Sequence, residues 1–182
     1  MKNRCSWAKT KSYQEYHDKF WGKKSEDESF LFELLILETQ AAGLNFSLIW
    51  SKKDEYEKYF DFKNPVNNLK INQKQIDDIL LYSNLIKNKL KIKSIINNSN
   101  AYLKLVKKYG SLKKYIWDNP NLKDKKRNPE NITKNRISDY IQKELKQFGF
   151  SFLGSVTIFS YLQAIGFYDD HQPNCYCYKP LD

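Results

Sequence analysis

Two groups of residues in this 182-residue chain have types and spacings that could do chemistry. The first is one acid. Phe30, Leu34, Leu37 and Ala41 recur at helical spacing and form an apolar face, and Glu38 falls on that face. A carboxylate among core-facing positions is costly unless it is hydrogen-bonded or neutralised. Glu38 is therefore either a bonded structural acid or part of an active site. Glu33 falls on a more polar side and needs no such account.

The second group is a set of metal-binding side chains. The chain has two histidines and three cysteines. Cys5 and His17 lie near the start, His171 and Cys175 near the end. Two thiolates and two imidazoles complete a tetrahedral zinc site and leave no position for a water. Such a metal would hold structure and would fasten the two ends of the chain together. Surface histidines with inert cysteines are the alternative. Cys177 is a spare that could replace Cys175. The odd cysteine count and the absence of an apolar run after Met1 fit a reducing cytoplasm rather than a disulfide framework.

The elements that position these groups read as helices, so the class is all-α. Ser25 with Glu28 has the form of a capping box opening a helix over about 26–42, which Gly43 ends. Further helices are expected over 44–51, from Asp54, and from Asn72 with Gln75 as its start. A long helix runs from about Lys89 to Lys108 and stops at Gly110. Ser111 to Trp117 is a short helix, Asp118 to Asn131 a polar loop, and 135–147 another helix. Gly149 to Gly154 is a tight turn before a buried helix over 155–165. Aromatic density over residues 1–22 implies a docked terminus. No repeat or long linker divides residues 1–182, so one domain is expected.

Net charge is +10 with pI about 9.3, which suits a polyanion. Between Asp78 and Asp118 lie nine lysines and no acid. Gly149 to Tyr168 carries no charge, but its glycines and hydroxyls fit a turn and core helix better than a membrane span.

These pieces resemble the DNA-3-methyladenine glycosylase I family of bacterial base-excision enzymes, nearly end to end. Arg4-Cys5-Ser6-Trp7 resembles its R-C-x-W, and Tyr13-x-x-Tyr16-His17-Asp18-x-x-Trp21-Gly22 its Y-x-x-Y-H-D-x-x-W-G. Leu31-Phe32-Glu33, Leu37-Glu38 and Gln40-Ala41-Ala42-Gly43-Leu44 are similar to L-F-E, L-E and the Q-x-A-G-L region. Ile86-Lys87-Asn88-Lys89 stands where the family has I-R-N-R. Gly149-Phe150-Ser151-Phe152-Leu153-Gly154, Gln163-Ala164-x-Gly166, Asp170-His171 and Cys175 resemble its remaining motifs. The family usually has Trp where this chain has Phe46 and Ser where it has Asn45. One residue between Cys5 and Tyr13 is missing relative to the common pattern.

The resemblance implies a helix-hairpin-helix glycosylase that hydrolyses the N-glycosidic bond of 3-methyladenine in double-stranded alkylated DNA, leaving an abasic site. It implies Glu38 as the key acid, with Tyr13, Tyr16 and Phe46 around the base; Trp21 is a further aromatic candidate for a cationic ring. Gly43 and Leu44 would fill the gap left by the extruded nucleotide. Lys87, Lys89 and the Gly149, Gly154 and Ser155 turn would meet the DNA backbone, the helix N-terminus facing a phosphate. Cys5, His17, His171 and Cys175 would hold one structural zinc ion. For Trp7 and Trp117 core packing is expected; Asp170 is the runner-up acid, though its place next to His171 favours a part behind the metal or a structural one. No lysine beside the turn suits a Schiff base, so no lyase step is expected. A bacterial, cytoplasmic monomer without membrane contact completes the expectation. The alternatives are a zinc-stapled DNA-binding module that has lost catalysis, which Phe46 favours, and a metal-dependent hydrolase, which a full ligand set opposes.

Overall fold

A computed structural model of the chain describes residues 2–123, 128 and 132–180. Among them there is no strand, and no helix is long and apolar enough to cross a membrane. The helices are α1 (Lys11–Lys19), α2 (Glu28–Ala41), α3 (Phe46–Trp50), α4 (Lys53–Tyr59), α5 (Gln73–Tyr82), α6 (Lys89–Tyr109), α7 (Leu112–Trp117), α8 (Arg136–Phe148) and α9 (Ser155–Ala164). Short 3-10 turns occupy Pro65–Lys70 and Pro120–Leu122. The loop expected over Asp118 to Asn131 falls partly outside the described residues. One helix, α1, has no counterpart among the helices expected from the sequence; Thr10 caps it by accepting from Tyr13 N.

Helix α2 is the axis of the fold. It packs against α3, α6, α7 and α9, and every residue from Leu31 to Ala41 is buried. The apolar face expected from its spacing is thus one side of a helix enclosed all round, Glu33 included. The Glu33 carboxyl pairs with Lys53 at 3.1 Å, and burial pushes it up to about 7 against the pull of that cation. Its N-terminus also differs from the capping box expected. Asp27 is the cap, accepting from Phe30 N at 3.0 Å. Glu28 turns away to α7, where its carboxylate accepts from Leu112 N, Lys113 N and the Tyr102 hydroxyl at 2.7–2.9 Å. An anion at those free N–H groups satisfies them and complements the helix dipole.

Two other helix starts and one helix end follow the expected chemistry. Asn72 and Gln75 form a reciprocal capping box for α5, Ser111 caps α7, and Gly110 ends α6 at φ 86°. The segment between α1 and α2 makes two close approaches to the end of α9. Gly22 N donates to Gln163 O and Ser25 N to Ile165 O, both at 3.0 Å. A Cβ on Gly166 would lie 2.1 Å from the Lys23 carbonyl carbon, so only glycine fits there.

Candidate active site

Glu38, near the C-terminal end of α2, opens onto a cavity of about 180 Å³ lined also by Trp7, Tyr13, Tyr16, Trp21, Phe46, Ser160 and Gln163. Each wall has a structural reason. Helix α1 supplies Tyr13 and Tyr16, whose rings stack 5.5 Å apart at 2°. Trp50 of α3 backs Tyr16 at 4.4 Å, and Phe46, on the first turn of the same helix, lies 5.3 Å from it. Trp7 sits 4.8 Å from Tyr13 and 5.0 Å from Trp21, closing an aromatic ring around the opening. Trp7 is therefore a cavity wall, not plain core filling. Its position two residues after Cys5 was the available signal. Trp117, by contrast, packs on Phe167 and donates Nε1–H to Ser25 O, the structural part expected of it.

Glu38 is 6% exposed as a residue, and its carboxyl accepts no hydrogen bond from any described residue. Burial pushes it from 4.5 up to about 8. Desolvation, with no compensating donor, favours the neutral acid. Burial, with the Glu38 charge adding to it, also pushes the Tyr13 and Tyr16 phenols above their ordinary range. Both tyrosines thus remain neutral donors. A carboxyl that opens onto an aromatic-walled cavity and has no hydrogen bond from the described residues can receive a hydrogen-bond donor or a cation there.

Behind Trp7 and Trp21 lies a cluster of histidine and cysteine side chains. Ligand atoms of His17, His171, Cys175 and Cys177 all fall within 4.8 Å of one another, a group that could hold a metal ion. Cys177, the spare of the sequence reading, is in this tight group. Cys5 is buried beside it, with its backbone N 3.5 Å from His17 Nε2 and its sulfur accepting from Gln172 N at 3.4 Å. Both histidines are oriented by acids. His17 Nδ1 meets Asp18 Oδ1 at 2.9 Å and His171 Nδ1 meets Asp169 Oδ1 at 2.6 Å. Each Nε2 is left for the cluster: that of His17 lies 3.3 Å from Cys175 Sγ, and that of His171 is buried without a hydrogen-bond partner. Arg4 in turn grips Asp18 through two guanidinium nitrogens. Burial also lowers the His17 pKa, keeping the ring in the neutral form a metal needs. The acid on His171 is therefore Asp169, whereas Asp170, next to it in sequence, holds Gln163 and Asn128. The rings tie this cluster to the cavity: Trp7 lies 5.2 Å from His17, and Trp21 4.8 Å from His171.

The remaining predicted positions fall on two turns that α6 joins. Gly43 (φ 74°) carries the chain from α2 to α3, and Leu44 beyond it is 42% exposed. Lys87 donates to Ser83 O and Lys89 pairs with Asp77 at 2.8 Å. Lys91, two residues further on in the same acid-free, lysine-rich stretch, is buried under the α2 terminus. The second turn, Gly149 to Gly154, reverses the chain between α8 and α9. Gly149 takes φ 98° and Phe152 φ 55°, while Phe150 and Leu153 are buried. Asn98 clamps it, accepting from Ser151 N at 2.8 Å and donating to Ser151 O at 3.2 Å. Gly154 leaves the first turn of α9, including Ser155, without a side-chain cap.

A sequence model described as methyladenine glycosylase matches residues 7–178. The DNA-3-methyladenine glycosylase of Haemophilus influenzae is 34% identical, over 97% of this chain and 98% of that protein. DNA-3-methyladenine glycosylase 1 of Escherichia coli is 31% identical over 96% of each. Among solved structures, 3-methyladenine DNA glycosylase I of Staphylococcus aureus superposes with a TM-score of 0.89 at 34% identity, covering 99% of this chain and 98% of that one. On this evidence the chain belongs to the methyladenine glycosylase family.

Proposed function

We propose that the chain is a monofunctional DNA glycosylase of base-excision repair that releases 3-methyladenine from alkylated duplex DNA. The observation that carries this reading is the buried Glu38 carboxyl, without a hydrogen-bond donor, inside a cage of aromatic rings. An N3-alkylated adenine is cationic and poorly stacked, so taking it out of the duplex costs less than a normal base. Ring faces of Tyr13, Tyr16, Phe46 and Trp21 attract such a cation by ~0.5–2 kcal/mol each. Glu38 accepts from the amino edge, and the cation draws its carboxyl back to the charged form. When the glycosidic bond breaks, its electron pair neutralises the base, while water adds to the sugar carbon and gives up a proton. The Glu38 charge stabilises the positive sugar on the way.

The turn at residues 149–154 serves as the hairpin of a helix-hairpin-helix element, with the Gly154–Ser155 start of α9 on a phosphate. Leu44 enters the gap left by the extruded nucleotide, and Lys87 and Lys89 steady the backbone. A structural zinc ion fits the histidine–cysteine cluster, because both Nε2 atoms face it and one is otherwise unsatisfied. Cys5 and Cys175 are the proposed thiolates: each sulfur accepts a backbone N–H, from Gln172 and Cys177 respectively. The ion would stiffen the wall formed by Trp7 and Trp21 and take no part in the bond cleavage. The protein works as a monomer in the cytoplasm, where chromosomal DNA is its substrate.

Incubation with methylated duplex DNA and chromatography of the released bases tests this reading. Release of free 3-methyladenine, leaving an intact abasic strand, is expected; binding without release would leave a DNA-binding module instead.

A further inference from the structure

Gln163 lines the same cavity as Glu38, and also an adjoining cleft of about 360 Å³ that includes Asn128 and Asp170. Its amide is not free to turn. Nε2 donates to Asp170 Oδ2 at 2.9 Å. Asp170 also accepts from Asn128 N at 2.8 Å and from Asn128 Nδ2 at 3.0 Å. A carboxylate that takes three N–H donors is an acceptor only. Turning the Gln163 oxygen toward it would set two acceptors face to face. Oε1 is therefore held on the side away from Asp170, and no described residue donates to it.

We infer that Gln163 reads the base beside Glu38, as a second fixed acceptor whose orientation Asp170 sets. This rests on the glycosylase reading above. Two acceptors match the N–H groups of an amino-purine. A purine that turns a carbonyl oxygen to the same wall meets acceptor against acceptor, so the pair disfavours 6-oxo bases. Gln163 touches the base; Asp170 is a positioning residue that acts through it.

Titration of free 3-methyladenine into the full chain, followed by tryptophan fluorescence from the cavity, tests the inference. Wild type, Gln163→Met, Asp170→Asn and the double variant are compared, with melting temperature and metal content measured for each. Gln163→Met is expected to weaken binding about tenfold, the loss of one hydrogen bond to a charged ligand. Asp170→Asn lets the amide turn over, and about threefold weaker binding is expected; in the Gln163→Met background it should add less than about twofold. Should Gln163→Met not fold, Gln163→Asn withdraws the amide by one carbon and is expected to weaken binding in the same direction. Unchanged affinity in the Gln163 variants overturns the inference. So does an Asp170→Asn loss of equal size in both backgrounds, which would mark Asp170 as merely structural. Wild type that binds no 3-methyladenine would instead sink the glycosylase reading itself.

Discussion

Lys91 and Gln40 clasp each other across the junction of α2 and α6. The buried Lys91 ammonium donates to Gln40 O at 2.7 Å and to Ala42 O at 2.9 Å, while Gln40 Nε2 donates back to Lys91 O at 3.1 Å. A cation on the last carbonyls of a helix satisfies groups that no intrahelical N–H reaches. This clasp fixes the exit of α2, and with it the Gly43–Leu44 turn.

Lys91→Met is therefore expected to lower stability by about 2 kcal/mol, because it strands the buried Gln40 carbonyl and the half-buried Ala42 carbonyl. Thermal melts check the loss. Amide exchange should show the Leu44 and Asn45 region opening first. Unchanged exchange there would mean that the turn holds its shape without the clasp.

The proposed zinc site distinguishes Cys5 from Cys177. Cys5→Ser is expected to lose bound zinc and at least about 2 kcal/mol of stability together, whereas Cys177→Ser should retain the metal. Elemental analysis of the purified variants, paired with thermal melts, distinguishes them. Zinc retained without Cys5 and lost without Cys177 would exchange their roles.

Glu38 gives a stability signature of definite sign. Its folded pKa is raised from 4.5 to about 8 by burial. Between those values the unfolded chain has lost the proton and the folded chain keeps it, so stability falls as pH rises through this window and levels off above it. Glu38→Gln is neutral throughout. Relative to wild type, the variant should gain little near pH ~4.5 and on the order of a few kcal/mol by pH ~8.5. Urea melts across that range measure the difference; a constant offset would mean that Glu38 is solvated in the folded protein.

Phe46 faces Tyr16 and Tyr13 at 5.3 and 6.4 Å. A wider ring there extends the stacking surface. Phe46→Trp is expected to tighten 3-methyladenine binding by about threefold, within the range of one aromatic–cation contact. Weaker binding would show that the cavity is sized for the smaller ring.

Much of this was legible in the residues. Asn72–Gln75, Ser111, Gly110 and Gly149 are local signals, and each punctuates a helix where its chemistry demands. Glu38 and three of the clustered metal-binding side chains could be named because their types are out of place or rare. Long-range partners left weaker traces. Glu28 looked like its own helix's capping residue, yet it caps α7, about 84 positions away. Asn97 and Asn98 lay in a Lys- and Asn-rich stretch, where nothing marked them as the clamp on residues 149–151. Glu33 fell on the more polar side of its helix and Lys91 in a lysine-rich stretch, and neither position showed a burial partner, because each finds it only in the fold. The contact between Gln163 and Asp170 was equally hidden by the stronger signal of the neighbouring His171.

The central claim is that the Glu38 carboxyl grips the damaged base as it leaves. Single-turnover release of 3-methyladenine from methylated duplex DNA, compared between wild type and a folded Glu38→Gln variant, tests it directly. Glu38→Gln is expected to release the base about 10²–10³-fold more slowly, the scale of losing one preorganised electrostatic group. Release at the wild-type rate would contradict it.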